Sequence, residues 1–467
     1  MGSKTLINLV NFFIFNSEYG PREGEEEKKI MFYFPKDTDI DSKIKNVGLC
    51  EALIKFAETF SDKPCESLHT MKTRQLFLEA EKDFWVIMTV SIPVTEKVSK
   101  DGITYNEYHE EDVQDSVFEA VLRQSYRMFT LFNGTFTSIL SRTDVNGLQQ
   151  RLDHFFSRYL LTLKVEQSDI LDVFNGIHFL PLDKNTYLRI QCFINQLEAN
   201  FPTVKYTTFL YSDQLVWSGL EQDDMRIIYR YLTTSLFPNY MEQELHAAVG
   251  NSTKPAIPLL GVSAHYGKFI TGPPNMKDTE KMGKIPRVYV NTERPNEDTL
   301  LLVYKALSAS VCLFIRASNP PTFDLCQKLD TFLGPQLTAL ASDIGEQYSK
   351  RTGLGNLAEP QYRYIYFNHM NLAQKTTVHT DSKKSANIHI PPETLKLLGD
   401  INSDLTWNDE NGETVMKTLT DCWVVGKKSD QREFYVVLNQ KNANLIEINE
   451  EVKRLCATHF NSIFFLE

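Results

Sequence analysis

The stretch LINLVNFFIF, residues 6–15, is apolar on both of its alternating faces. Successive side chains of a strand point to opposite faces of a sheet, so such a run predicts a central strand that is covered on both sides. A charged loop over residues 20–29 and a second apolar run, Ile30 to Phe34, follow before Pro35 stops the pattern. Together the two runs predict an antiparallel hairpin with a long charged tip.

A helical pattern follows the hairpin over about residues 41–60 and places four large apolar side chains on one stripe: Leu49, Leu53, Phe56 and Phe60. A stripe with this spacing predicts an amphipathic helix whose apolar side packs on the sheet. Strands near 68–77 and 84–92, a polar loop at 95–110 and two further helices complete the unit. Asn133-Gly134 is expected to end the first of these helices.

The same order of elements returns twice along the chain. The second round has a hairpin at 204–217, a helix that a Ser218-x-x-Glu221 capping box starts and Pro238 ends, an irregular stretch at 239–264, four strands, and a long helix from Pro321. The third round has a hairpin from Tyr362, a helix from Pro391-Pro392, strands at 418–426 and 432–438, and a final helix capped by Asn444-x-x-Glu447. This repetition predicts an α+β fold in which each unit is an antiparallel sheet flanked by helices.

The length agrees with this count, because 467 residues allow three domains at roughly 150 residues each. The predicted domains cover residues 1–164, 201–349 and 362–467, with a helical bridge over 165–200 and a linker over 350–361.

Composition excludes several classes of function. The formal net charge of −11 argues against a protein held on nucleic acid by bulk phosphate attraction. Apolar runs stay shorter than the roughly 18 residues that a membrane span needs. The seven cysteines are scattered without a C-x-x-C spacing, a pattern typical of reduced thiols in a cytosolic protein.

Two short motifs resemble catalytic or cofactor signatures, but their surroundings favour a loop in both cases. Residues 353–358 fit G-x-G-x-x-A, yet a helix precedes them and Glu359-Pro360 follows, where a dinucleotide site needs a strand and then a helix. Residues 261–265 resemble a nucleophile elbow whose last glycine is replaced by His265. The ten histidines show no metal-binding spacing and no P-loop occurs, so we predict no catalytic residue, no cofactor and no metal.

Several long strings are similar to the Ccz family, which is named for calcium–caffeine–zinc sensitivity. They are FFIFN (12–16), GPREGEEE (20–27), NVGLCEA (46–52), SGLEQDDMR (218–226), YLTTSLFP (231–238), VVGKKSD (424–430) and LNQKNANLIE (438–447). The similarity covers essentially the whole chain and is weakest at 95–110, 239–262 and 376–392.

The resemblance implies three longin domains and a heterodimer with a Mon-type longin subunit that acts as a guanine nucleotide exchange factor for the late-endosomal Rab GTPase. It also implies a third regulatory subunit in animals and peripheral recruitment from the cytoplasm to late endosomal and lysosomal or vacuolar membranes. In this family the first longin domains pair and receive the Rab, and exchange proceeds by opening switch I. The alternative is a longin-type adaptor or tether without exchange activity.

We expect partner and Rab contacts in two segments of the first domain. The candidate residues are Asn46, Val47, Gly48, Leu49 and Phe56 on the helix and Arg22, Glu25, Glu26 and Glu27 in the charged loop. Gly48 would let two backbones approach closely, and Leu49 and Phe56 would serve as apolar anchors. The competing interpretation is that Leu49 and Phe56 only pack on their own sheet.

Overall fold

The computed structural model describes residues 4–61, 64–99, 101–102, 104–250, 266–276, 278, 281–290, 298–353, 362–379, 390–407 and 411–459. Within these ranges the chain forms three antiparallel sheets of five or six strands, each flanked by helices, and one separate two-stranded sheet. The predicted α+β class with three repeated units is confirmed.

The first sheet consists of β1 (Leu9–Asn16), β2 (Ile30–Phe34), β3 (Ser67–His69), β4 (Thr73–Glu81) and β5 (Phe84–Ser91), in the order β2-β1-β5-β4-β3. The hairpin β1–β2 and the central place of β1 are as predicted. One face packs on α1 (Ile40–Glu58), and the other on α2 (Asp115–Asn133), α3 (Phe136–Leu140) and α4 (Val145–Thr162). Gly134 follows α2 with φ +81°, so Asn133-Gly134 ends that helix as expected.

The prediction of a polar loop at residues 95–110 is wrong. These residues form the hairpin of β6 (Val94–Val98) and β7 (Thr104–Tyr108). Valine, threonine and tyrosine favour strands, but both strands are largely exposed and polar, so the apolar pattern gave no sign of them.

The second sheet consists of β8 (Val204–Tyr211), β9 (Gln214–Ser218), β10 (Gly267–Phe269), β11 (Arg287–Tyr289), β12 (Asp298–Ala306) and β13 (Ala309–Arg316). Its order is β10-β12-β13-β8-β9, with β11 also paired to β12. The long helix α9 (Phe323–Gly353) buries the predicted stripe, including Leu329, Leu333 and Leu337, against this sheet.

Two boundaries predicted in this unit are wrong. Ser218 is the last residue of β9, and Glu221 is the N-cap of α7 (Gln222–Tyr231), so Ser218 lies three residues too early to cap the helix. Pro238 does not end the helical run, because a π-helical turn over Leu232–Leu236 leads directly into α8 (Phe237–Gly250). The wider turn relieves the clash that a proline ring makes with the carbonyl four residues earlier in α geometry.

The third sheet consists of β14 (Tyr362–Asn368), β15 (Ala373–Thr376), β16 (Gly412–Lys417), β17 (Trp423–Ser429) and β18 (Arg432–Leu438), in the order β15-β14-β18-β17-β16. The helix α11 (Leu445–His459) packs Ile448 and Val452 on one face. Its predicted capping box is confirmed. The Asn444 amide donates to Glu447 Oε2 at 2.9 Å, and the Glu447 amide donates to Asn444 Oδ1 at 3.0 Å.

The chain divides into two compact units, Met1–Phe174 with Ile390–Thr414, and Asn175–His389 with Val415–Glu467. The predicted bridge over 165–200 is therefore shared between the units. Its helix α5 (Ile170–Phe174) belongs to the first unit, and its helix α6 (Lys184–Asn200) contributes to the core of the second sheet.

Two further predicted boundaries, those of the linker and of the third domain, differ from the elements and units of the structure. The helix α9 extends to Gly353, inside the predicted linker over 350–361, whose last eight residues lie outside the described ranges. In the predicted third domain, α10 (Pro392–Trp407) belongs to the first unit, where Gln114 Nε2 donates to the Lys396 carbonyl at 2.9 Å and to Asp400 Oδ1 at 2.7 Å.

A short extended segment, residues 176–180, closes the edges of two sheets within the second unit. It forms parallel bridges to β9 on one side and β15 on the other. The backbone hydrogen bonds join Ile177 to Leu372 and Gln374 at 2.8 Å each, and Leu215 to Leu180 and His178 at 2.9 and 2.7 Å. We call this segment the edge strap.

Candidate functional site

The helix α1 buries a different face from the one that the apolar stripe predicted. Val47, Cys50 and Ile54 lie against the first sheet and are at most 5% exposed. Leu49, Phe56 and Phe60 are 54%, 64% and 76% exposed, so the interpretation that Leu49 and Phe56 pack on their own sheet is wrong. Leu49 and Phe56 lie on α1, and Phe60 lies two residues after its end at Glu58. We call the exposed apolar stripe of these three side chains the outer face of α1.

The reason for this error is that α1 carries two apolar stripes. Each residue of an α-helix is rotated by about 100° from the one before, so Val47 and Leu49 lie roughly 200° apart around the axis. Both stripes have helical spacing, and only packing on the sheet decides which of them is buried. The rings of Phe56 and Phe60 contact each other edge to face, with centroids 4.8 Å apart.

The remaining candidates on the helix differ in their environment. Gly48 is exposed, and a Cβ atom placed there would meet no atom within 4 Å, so its surface is open to a close neighbour. Asn46 is only partly exposed, and its Nδ2 donates to the Tyr33 hydroxyl at 2.7 Å. Burial raises the pKa of Tyr33 above its ordinary value, although the bond from Asn46 opposes this shift. Asn46 therefore holds α1 on β2, whereas Gly48 and Leu49 face outward.

The charged loop has an ordered backbone. Gly20 has φ +59°, and a Cβ atom there would lie 2.2 Å from the Glu25 carbonyl oxygen, so the tight turn requires glycine. Glu25 accepts from Lys28 Nζ at 2.7 Å, and Glu26 accepts from the Gly24 amide at 3.0 Å. This amide bond lowers the pKa of Glu26. Two of the predicted contact residues thus shape the loop.

The other two loop candidates, Arg22 and Glu27, are exposed. Their side chains are therefore accessible to a partner, whereas Glu25 and Glu26 support the turn from within the loop.

An ion-pair network joins the charged loop to α1. Lys29 Nζ lies 2.6 Å from Glu51 Oε2, and Lys55 Nζ lies 2.7 Å from Glu51 Oε1. Burial disfavours the ionised form of Glu51, but the bonds from Lys29 and Lys55 outweigh it and lower the pKa of this carboxyl group. Because Lys29 ends the loop and Glu51 lies on α1, the loop and the helix are held together at this point.

Three residues of this surface were not among the predicted candidates: Phe60, Lys29 and Glu51. Phe60 belongs to the predicted stripe, and Glu51 and Lys55 have the i, i+4 spacing of a helical ion pair, so two local signals existed. The contact of Lys29 with Glu51 joins residues 22 positions apart and has no local signal.

The described residues contain no group of three or more His, Cys, Asp and Glu side chains that could hold a metal ion. Ser67 Oγ and Asp115 Oδ2 both contact His69 Nε2, at 3.2 and 2.7 Å, whereas a catalytic relay needs them on opposite ring nitrogens. The elbow-like residues 261–265 and all but Gly353 of the G-x-G-x-x-A match lie outside the described ranges.

None of the described helices combines the length and the apolar character that crossing a bilayer requires.

Comparison with known proteins identifies all three repeated units. Residues 9–134 match the first longin domain of INTU, CCZ1 and HPS4, residues 204–334 match Intu longin-like domain 2, and residues 358–455 match Intu longin-like domain 3.

Relatives match over nearly the full length of the chain. A protein named "Vacuolar fusion protein CCZ1 homolog" from Nematostella vectensis is 56% identical over 465 residues, 99% of each chain. The protein of the same name from Xenopus laevis is 56% identical over 465 residues, 98% of each chain. That from Dictyostelium discoideum is 30% identical over 464 residues, again 98% of each chain.

Proposed function

The chain belongs to the CCZ1 family of vacuolar fusion proteins, and from this premise we propose that it is one subunit of a guanine nucleotide exchange factor for the late-endosomal Rab GTPase. The relatives' name assigns them to vacuolar fusion, and we extend that trafficking role to this chain. Its proposed partners are a Mon-type longin subunit, the Rab, and the third regulatory subunit of animals. Through this complex it is recruited to late endosomal and lysosomal membranes.

The observation that carries the proposal is the outer face of α1. A stripe of three large apolar side chains, two on α1 and one just after its end, each more than half exposed, is unfavourable in water and is typical of a contact surface. The open surface at Gly48 lies beside Leu49, which allows a second helix to approach closely. In our proposal the first longin domain of the Mon-type subunit covers this stripe.

The charged loop is the second element of the proposed surface. Arg22 and Glu27 are exposed and available to the Rab or to the Mon-type subunit. Glu25 and Glu26 act through the loop, because their side chains hold its turn. The ion pairs of Glu51 keep this loop beside α1, so one partner domain can contact both elements.

Exchange of this kind needs no covalent chemistry. An exchange factor binds the nucleotide-free Rab better than the nucleotide-bound form, and thermodynamic linkage makes nucleotide binding weaker by the same factor. A 1000-fold effect corresponds to about 4 kcal/mol of differential binding, which a protein surface can supply. We assign the opening of switch I to the paired longin domains and no catalytic residue to this chain.

The test is release of fluorescent GDP from the late-endosomal Rab by the complex with the Mon-type subunit. We expect the unchanged complex to accelerate release and the double variant Leu49→Asp with Phe56→Asp to lose both the partner and the acceleration. Leu161→Asp is the matched control, because Leu161 is 76% exposed on α4 of the same domain. Val47 is unsuitable for this purpose because it is buried, and a carboxylate there would unfold the domain.

Each outcome separates the alternatives. No acceleration by the unchanged complex at any concentration refutes the exchange function, and binding of the GTP form at least as tight as the nucleotide-free form indicates an adaptor or tether instead. An intact complex and unchanged release in the double variant refute the role of the outer face while leaving exchange in place.

A further inference from the structure

The edge strand β2 borders a groove, and one residue of its lining, Glu27, also belongs to the charged loop of the proposed partner surface. β2 is the first strand of its sheet, and within the described residues no strand pairs with its outer side. A cavity of about 740 Å³ lies along this edge. α1 forms one wall through Ile40 and Lys43, and α4 forms the other through Val145 and Gln149. We call this cavity the β2 groove.

The backbone of β2 faces this groove with hydrogen-bonding groups. Gln149 Nε2 donates to the Ile30 carbonyl at 3.0 Å, so this carbonyl points away from β1 and accepts a bond from the groove side. An edge strand offers a row of such donors and acceptors, and another strand satisfies them best. The same chain already uses this mode, because the edge strap pairs with the outer edges of β9 and β15.

The side chains of the groove determine which chemical character a bound segment must have. Ile30, Phe32 and Val145 give it an apolar lining. Three lysines, at positions 28, 36 and 43, face two carboxylates, at positions 27 and 153, so the lining carries one excess positive charge in a chain of net charge −11. Lys36 Nζ lies 2.6 Å from Asp153 Oδ1 and joins the segment after β2 to α4, where an incoming carboxylate could compete for the lysine.

We propose that the β2 groove binds an extended acidic segment of another protein, which adds to the first sheet as an outer strand. β2 has five residues, so at about 3.3 Å per residue the paired stretch spans roughly 17 Å. The guest would alternate apolar side chains with polar ones, since successive side chains of a strand point to opposite faces. It would carry at least one carboxylate near the lysines. None of the residues that line the groove belongs to the outer face of α1.

The experiment selects binders from a displayed library of random octapeptides on the full chain. We expect the enriched peptides to share alternating apolar positions and at least one Asp or Glu, and to bind less tightly as salt concentration rises. On binding, amide hydrogen exchange of residues 30–34 should slow. Failure to enrich any peptide, or enriched peptides without acidic residues, overturns the proposal.

Two pairs of variants localise the binding. Asn146→Trp fills the groove from an exposed position of α4, and Gln150→Trp is its control at an exposed position of the same helix outside the lining. Lys43→Glu reverses a lining charge on α1, and Lys45→Glu reverses an exposed one outside the groove. We expect Asn146→Trp and Lys43→Glu to weaken binding at least tenfold and the controls to leave it within twofold. Equal binding by each groove variant and its control refutes the site.

A chemical variant of the peptide tests strand pairing itself and does not depend on how any protein variant folds. N-methylation of alternate backbone amides removes the donors on one edge of the peptide. We expect a loss of at least tenfold in affinity when the methylated edge is the one that faces β2. If peptides methylated on either edge bind the unchanged chain as tightly as the parent peptide, addition as a strand is refuted.

Discussion

The two faces of α1 predict opposite effects for substitutions on the same helix. Phe56→Ala removes a ring that is 64% exposed on the outer face. A phenylalanine side chain has roughly 200 Å² of surface, so a partner can cover about 130 Å² of it. At about 25 cal/mol per Å² this corresponds to about 3 kcal/mol, or more than 100-fold in Kd. The chain itself loses little contact, so its free energy of unfolding should change by less than about 0.5 kcal/mol.

Val47→Ala should lower the free energy of unfolding and leave the affinity for the partner nearly unchanged. Val47 is 2% exposed and packs with Phe13, Phe15 and Tyr33 under the helix. The substitution removes two methyl groups, worth about 1.6 kcal/mol of transfer free energy. A residual cavity brings the total to about 2–3 kcal/mol. Affinity for the partner should stay within about threefold in conditions where the domain remains folded.

Two measurements on the same proteins check this contrast. Urea unfolding of the full chain, followed by hydrogen exchange in residues 9–91, gives the stability, and titration with the Mon-type subunit gives Kd. Leu161→Ala controls for loss of an exposed apolar side chain elsewhere in the domain. A loss of more than 1.5 kcal/mol of stability for Phe56→Ala with unchanged Kd would refute the reasoning, because it would mean that Phe56 stabilises its own domain.

Three further outcomes follow from contacts elsewhere in the chain. Lys29 and Lys55 lower the pKa of Glu51 in the folded state. The contribution of Glu51 to the free energy of unfolding is therefore complete above its unfolded pKa of about 4.3 and is lost as pH falls through its folded pKa. In urea titrations the stability difference from Glu51→Gln should therefore be constant from pH 6 to 8 and shrink below about pH 4.3; a difference that grows there contradicts the pairing. Asn444→Ala removes the confirmed cap of α11 and should reduce the free energy of unfolding by about 1 kcal/mol; no loss would show that the cap is dispensable. Gly176→Ala places a Cβ atom 2.4 Å from Gln374 Cβ and should loosen the edge strap, measured as faster amide exchange at the strap than in the unchanged chain, whereas unchanged exchange would mean that the neighbours yield.

Much of the fold was predictable because its signals are local. The hairpin β1–β2, the buried stripe of α9 and the reciprocal cap at Asn444 each depend on residues close together in sequence. The errors occurred where local patterns were ambiguous or weak. The polar strands β6 and β7 lack an apolar pattern, and a π-helical turn allows the helical run to continue past Pro238.

That α1 and the charged loop contact a partner stays a prediction, and the sequence did not indicate which of the candidate side chains face outward. The resemblance and the apolar content of residues 46–56 indicated α1 and the charged loop beside it. Leu49, Gly48 and Phe56 lie outward as a contact surface requires, whereas Val47 is buried and Asn46 bonds to Tyr33. The link between Lys29 and Glu51, which holds the loop on the helix, arises only from folding.

The sequence by itself determined that three similar units follow one another, because the periods of strands and helices are properties of the backbone and leave their pattern in the order of apolar residues. The tertiary structure alone decided which stripe of α1 remains exposed. Two stripes with the same period are equivalent for an isolated helix. The choice between them depends on the shape of the sheet beneath, where Val47, Cys50 and Ile54 fill the space among the side chains of β1, β2, β4 and β5.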